Sequence, residues 1–243
     1  MTKLNFIREK TFKEEIHRAG WNWVTKSLIN KFHDPKADII MDEFVERTFD
    51  WDYTFNNNKA LVLPHHKRDW IGVIHNPMII PKPFDIKQSP VNMCARLPFL
   101  LALKNCKGMY TLSYDLEESM RHLFIQYGFD HIPIETLIHP TPLDVEEFNL
   151  NSFLESPQIT CIGYWLRNFE TFWLLNTQMT KNVLLGRLPY AHQTYQNQQE
   201  TFNLKCKFTG EKTKGNVVVH RHLENKEFDK YMTTTCGFLD LLD

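Results

Sequence analysis

The sequence predicts an α/β protein made of two successive parallel-sheet domains, and three observations carry that expectation. Short β-rich runs alternate with helical ones in both halves of the chain, which is the pattern of βαβ units. Ser113 stands where a helix N-cap is needed, with Asp115, Glu117 and Glu118 in the following turn, where the helix dipole favours negative charge. A proline-bearing segment, 139–144, then separates one strand–helix series from the next.

Taken in order, Phe12, Ile16, Ala19, Trp23, Leu28 and Phe32 recur at helical intervals and predict an amphipathic helix over 12–33, with Gly20 in its middle. An apolar-acidic stretch follows over 39–49, then a polar turn at 56–58 and a short apolar run at 61–63. Strands are expected over 70–75, 108–113 and 134–139, with helices over 92–105 and 114–127 between them. The prolines at 140 and 142 remove backbone donors and disfavour helix before them, suiting an extended crossover. The domains are therefore drawn as 1–145 and 146–243. In the second, strands are expected over 159–163, 182–185, 217–220 and 238–242, a helix over 168–175, and a polar, exposed segment over 193–200. The last strand has no helix after it, so the second domain is expected to be incomplete at its C-terminus.

Composition narrows the function. The 243 residues carry 28 basic and 29 acidic side chains, a net charge of -1, without the basic excess that a general grip on nucleic acid requires. The only short basic run, 65–68, reads as a solvated loop. Apolar stretches fall short of the roughly 18 residues of a membrane span. Five scattered cysteines without a C-x-x-C pair suit a reducing compartment, so a cytoplasmic protein is expected. Phosphate-loop, dinucleotide, nucleophile-elbow and zinc-protease motifs are all missing.

In open α/β sheets ligands bind beyond the carboxyl ends of the strands, which singles out the polar residues following each predicted strand. His75, followed by Asn76 and Pro77, is the candidate base or holder of an acceptor hydroxyl. A histidine that merely bonds a loop carbonyl is the bland reading. Ser113 and His139 hold similar positions. Gly163 and Arg167 form a strand, glycine turn and guanidinium suited to phosphate, with Lys181 and Arg187 flanking the next strand. Solvated surface cations are the ordinary alternative. His220 and His222 share one face of a strand, but nothing near them completes a zinc site, and no metal is assigned. Glu224, Glu227 and Asp229 read as helix-start acids, any of which could line a cleft.

Several segments, in this order along the chain, resemble a family of GT-B-type glycosyltransferases of large DNA viruses and some bacteria. They are Ala19-Gly20-Trp21-Asn22-Trp23-Val24, Thr48-Phe49-Asp50-Trp51, Trp70-Ile71-Gly72-Val73-Ile74-His75-Asn76-Pro77, Leu103 to Ser113, His139-Pro140-Thr141, Ile162-Gly163 with Leu166-Arg167, His222-Leu223-Glu224-Asn225, and Phe238 to Asp243. The resemblance implies two Rossmann-like domains, the first binding an acceptor and the second a nucleotide-diphosphate sugar. It implies transfer of a hexose-like sugar to a glycan or other hydroxyl without an obligatory metal or other cofactor, in the cytoplasm, of a host cell if the source is viral. It makes His75 the catalytic residue, with Asn76, Ser113 and His139 on the acceptor side. Gly163, Arg167 and Lys181 would hold the donor phosphates, and His220 and Glu224 would line the donor cleft. In the family, the strand resembling 238–242 is followed by an acidic residue that grips the donor ribose, and this sequence ends before it. A truncated or non-catalytic module binding a glycan or a partner is therefore the alternative expectation.

Overall fold

Parallel pairing of short, largely buried runs builds two separate sheets in this computed structural model, which describes residues 2–7, 20–51, 66–81, 84–138, 140, 146–186, 189–221, 223 and 225–235. The chain divides into two compact units, Met1–Pro142 and Leu143–Asp243.

In the first unit β1 (Asn5–Phe6), β2 (Ile40–Asp42), β3 (Trp70–Val73), β4 (Cys106–Thr111) and β5 (Ile134–Thr136) lie side by side in sequence order, every pair parallel. Side-chain alternation splits these strands into two faces. Met41, Ile71, Val73, Tyr110 and Leu112 meet α1 (Trp21–Phe32) through Trp21, Val24, Leu28, Ile29 and Phe32. Ile40, Trp70, Met109 and Ile134 meet α2 (Pro90–Cys94), α3 (Leu97–Leu103) and α4 (Tyr114–Gln126) on the other face. Trp70 anchors that second face: it is fully buried and its indole N–H donates to the Ala102 carbonyl at 2.7 Å.

The single helix expected over 92–105 is two helices. Pro98 falls in the first turn of α3, where its missing N–H is harmless, so the chain breaks at Ala95–Arg96 and starts again. The helix expected over 12–33 is seen from Trp21 onward, its earlier part lying outside the described residues. Ser113 does cap α4, accepting from Leu116 N at 3.2 Å, and Asp115 and Glu117 occupy the first turn. Ser113→Ala is accordingly expected to lower stability by about 1 kcal/mol, read as a fall in the denaturant midpoint.

The second unit has β6 (Gln158–Ile162), β7 (Thr180–Leu184) and β8 (Val217–His220), again parallel and in sequence order. Its apolar face, Ile159, Cys161, Val183 and Leu185, packs on α6 (Phe169–Leu174) and α7 (Pro189–Thr209). The segment expected to be polar and exposed over 193–200 is the middle of α7: Gln193, Gln196, Asn197, Gln199 and Glu200 are exposed as expected, while Tyr195, with Ala191 and Phe202 to either side, is buried. The opposite sheet face is polar. Gln158 and Thr160 bond Thr234 and Thr235 at and just past the end of α8 (Asn225–Thr234), and Asn182 donates to Gln158 at 2.8 Å. A short helix, α5 (Leu150–Glu155), precedes β6, and the backbone N–H of its cap residue Asn149 donates to Thr233 O. The expected strand over 238–242, the short run at 61–63 and most of the 139–144 crossover lie outside the described residues.

No helix among the described residues is long and apolar enough to cross a membrane.

Candidate functional site

Where β2 and β3 end, four carboxylates lie within one buried stretch of chain: Asp42, Glu43, Glu46 and Asp50 are each at most 3% exposed. Burying a carboxylate is costly unless something answers its charge. Asp42 accepts from His66 Nε2 at 2.9 Å, and Asp50 accepts from Arg96 Nη1 at 2.7 Å. Glu46 is answered differently. Its Oε1 accepts the backbone N–H groups of His75 and Asn76 at 2.7 and 2.6 Å, while Oε2 has no hydrogen-bond partner. Burial, and to a lesser degree the charge of Asp42, push the Glu46 carboxyl up to about 7 despite those two amides.

The approach of this stretch to β3 depends on Gly72. A Cβ there would lie 2.5 Å from Val45 Cγ2 and 2.7 Å from the Trp70 ring, closer than packed atoms allow. Val45 and Glu46 lead into a π-helical turn, Arg47–Trp51, a rare local geometry concentrated at functional sites.

His75 follows β3 at its carboxyl end. Its ring stacks on Phe44 with centroids 4.2 Å apart and meets Trp21 edge-on at 4.5 Å. Nε2 lies 2.9 Å from the Glu43 carbonyl. A carbonyl only accepts, so Nε2 carries the proton and Nδ1 is the basic nitrogen of the neutral ring. The bland reading of this histidine, a bond to a loop carbonyl, is what the structure shows for Nε2. Asn76 is 2% exposed and turns its side chain inward, donating to the Gln88 carbonyl at 2.9 Å. Its side chain serves the fold, against the acceptor-side expectation. Ser113 serves α4 as described, and His139 lies outside the described residues.

In the second unit, Gly163 opens the turn after β6 with φ of 84°, a left-handed conformation that a side chain strains, and Leu166 in the same turn has φ of 59°. Arg167 closes the turn on itself: Nε donates to Ile162 O at 3.0 Å and Nη1 contacts Trp165 O at 3.4 Å. Lys181 corrects the sequence expectation. It pairs with Ile159 across the sheet, sits fully buried, and donates to the carbonyls of Phe172, Trp173 and Leu175 at 3.0, 2.9 and 3.2 Å. An ammonium has three N–H donors, so all are engaged at the C-terminal end of α6 and none is left for a phosphate. Burial lowers its pKa from the ordinary lysine value.

His220 ends β8. Its Nε2 is 3.1 Å from Asn182 Oδ1 and 3.1 Å from the Tyr231 hydroxyl, linking β7, β8 and α8. Burial lowers its pKa, outweighing the opposing charge of Glu227. Glu224, His222 and Arg187 lie outside the described residues. Glu227 falls in the first turn of α8, the helix-start position expected of it. Among the described residues no three His, Cys, Asp or Glu side chains are placed to hold a metal ion.

The structure thus gathers His75, Glu46, Glu43, Phe44 and Trp21 at one place; sequence reasoning singled out only His75 among them as a site residue, and Glu46 is the most consequential one it missed. Its signal was the density of acids in an otherwise apolar stretch: four carboxylates among the nine residues 42–50, interleaved with Phe44, Val45 and Phe49. No protein-family model, curated protein or solved structure matches this chain, so the site rests on its own geometry.

Proposed function

We propose that this chain is a glycosyltransferase of the GT-B kind, hexosyltransferase-like, moving a sugar from a nucleotide-diphosphate donor to an acceptor hydroxyl without an obligatory metal. The observation that carries the reading is the imidazole of His75, held at the carboxyl end of a parallel strand with Nε2 on a carbonyl and Nδ1 as its basic nitrogen. In the reaction the acceptor oxygen bonds to the anomeric carbon as the bond from that carbon to the diphosphate breaks. Nδ1 takes the hydroxyl proton, and the nucleoside diphosphate departs with the bonding pair. The Gly163 turn with Arg167 is the proposed contact for the diphosphate, and His220 lines the donor side.

One observation favours the alternative, a non-catalytic module that binds a glycan or a partner: Lys181 is withdrawn from the donor side into the interior. Titrating the protein with UDP- and GDP-sugars while following tryptophan fluorescence and released nucleoside diphosphate tests both. Saturable binding with release of diphosphate in the presence of an acceptor is the expected result. Absence of donor binding, with saturable binding of glycan alone, would select the module.

A further inference from the structure

We propose that Glu46 is a positioning residue whose carboxylate form holds the 75–76 turn and the His75 ring in place, and whose protonation loosens both. Ile74 N still joins the sheet, donating to Tyr110 O at 2.8 Å, but the next two amides leave the ladder. Both find the same atom, Glu46 Oε1. The same short stretch also holds the His75 ring, through the Glu43 carbonyl on Nε2 and the Phe44 face, while Trp21 of α1 meets the ring edge. Residues 43–46 therefore touch both the backbone and the ring of His75, so a movement of Glu46 is passed to both.

A hydrogen bond to an ionised acceptor is about twice as strong as one to a neutral acceptor. Protonating Glu46 thus weakens two bonds at once. The charged and titratable groups around the carboxyl are Asp42 at the end of β2, with His66 bonded to it, Glu43 in the same stretch, and His75 beyond β3. Farther along the chain Asp50 is paired with Arg96. Burial and Asp42 both resist ionisation of Glu46, which brings the change to about 7 rather than to the ordinary carboxyl range.

This rests on the transferase reading for its catalytic meaning, since it concerns the same His75, but its test reads the turn directly. In the uniformly ¹⁵N-labelled full chain, the His75 and Asn76 amide protons are expected to move downfield together as pH rises, sharing one midpoint near 7. Glu46→Gln keeps an oxygen for the amides but cannot ionise, so the shared transition is expected to vanish. Independent behaviour of the two amides in the wild type, or a transition that persists in Glu46→Gln, overturns the proposal. Should Glu46→Gln not fold, ¹³C-carboxyl titration of Glu46 in the wild type decides: a midpoint matching that of both amides supports the proposal, and a mismatch sinks it. Amides that titrate together in a protein showing no sugar transfer would leave the positioning role standing while removing the transferase reading.

Discussion

Lys181→Met is expected to lower the stability of the second unit by roughly 3–5 kcal/mol while leaving the first unit's sheet as it was. Each hydrogen bond to a charged group contributes about 1.5–3 kcal/mol, and contributions to one ammonium add less than fully. Methionine keeps the apolar stem in place beside Phe172 and Trp173 but strands three carbonyls at the end of α6. The measurement is amide hydrogen exchange resolved by segment. Protection in β6, β7 and α6 should collapse, with β3 and β4 unchanged. Retained protection in β7 would mean that the ammonium is dispensable to the fold.

Under the proposed transferase reading, His75→Ala is expected to lower kcat for sugar transfer by about 10²- to 10⁴-fold, the range contributed by a positioned general base, with the donor KM little changed. The split between the two constants is the informative part. A group that acts only as the proton leaves the acceptor changes the transition state and not the prior binding of donor. Since Trp21 and Phe44 pack on the imidazole, His75→Phe is the companion variant, restoring a ring without a base. Loss of activity in both variants fits proton removal. Recovery in the phenylalanine variant would assign His75 to packing and send the search for the base elsewhere.

Much of this architecture is legible in the sequence because local signals agree with one another there. At β4 and α4, the apolar run, the Ser113 cap and the acidic first turn all indicate the same junction. Legibility fails where a polar side chain does interior work. Gln198 sits on the inward face of α7, accepting from Phe169 N and donating to the Arg167 carbonyl. With glutamine there and only Tyr195 apolar among residues 193–200, the 3.6-residue period is hidden. Lys181 misleads in the same way: its strand places it two and four residues before Val183 and Leu185, on the apolar face, yet lysine reads as surface. Glu46 is the extreme case. Its value to the site comes from two amides about thirty positions away, and no local pattern encodes a contact of that span.

The polar face of the second sheet has a consequence for how this protein can change over generations. An apolar surface accepts one volume-conserving replacement at a time, so the packing around Phe172 and Val183 can drift in single steps. Gln158, Asn182, His220 and Tyr231 are joined in a row of hydrogen bonds, and altering one breaks the bond to each of its neighbours in that row. Those four positions are bound into a single heritable character: variants there should arise in matched sets, while the apolar positions of the opposite face, Lys181 excepted, change singly.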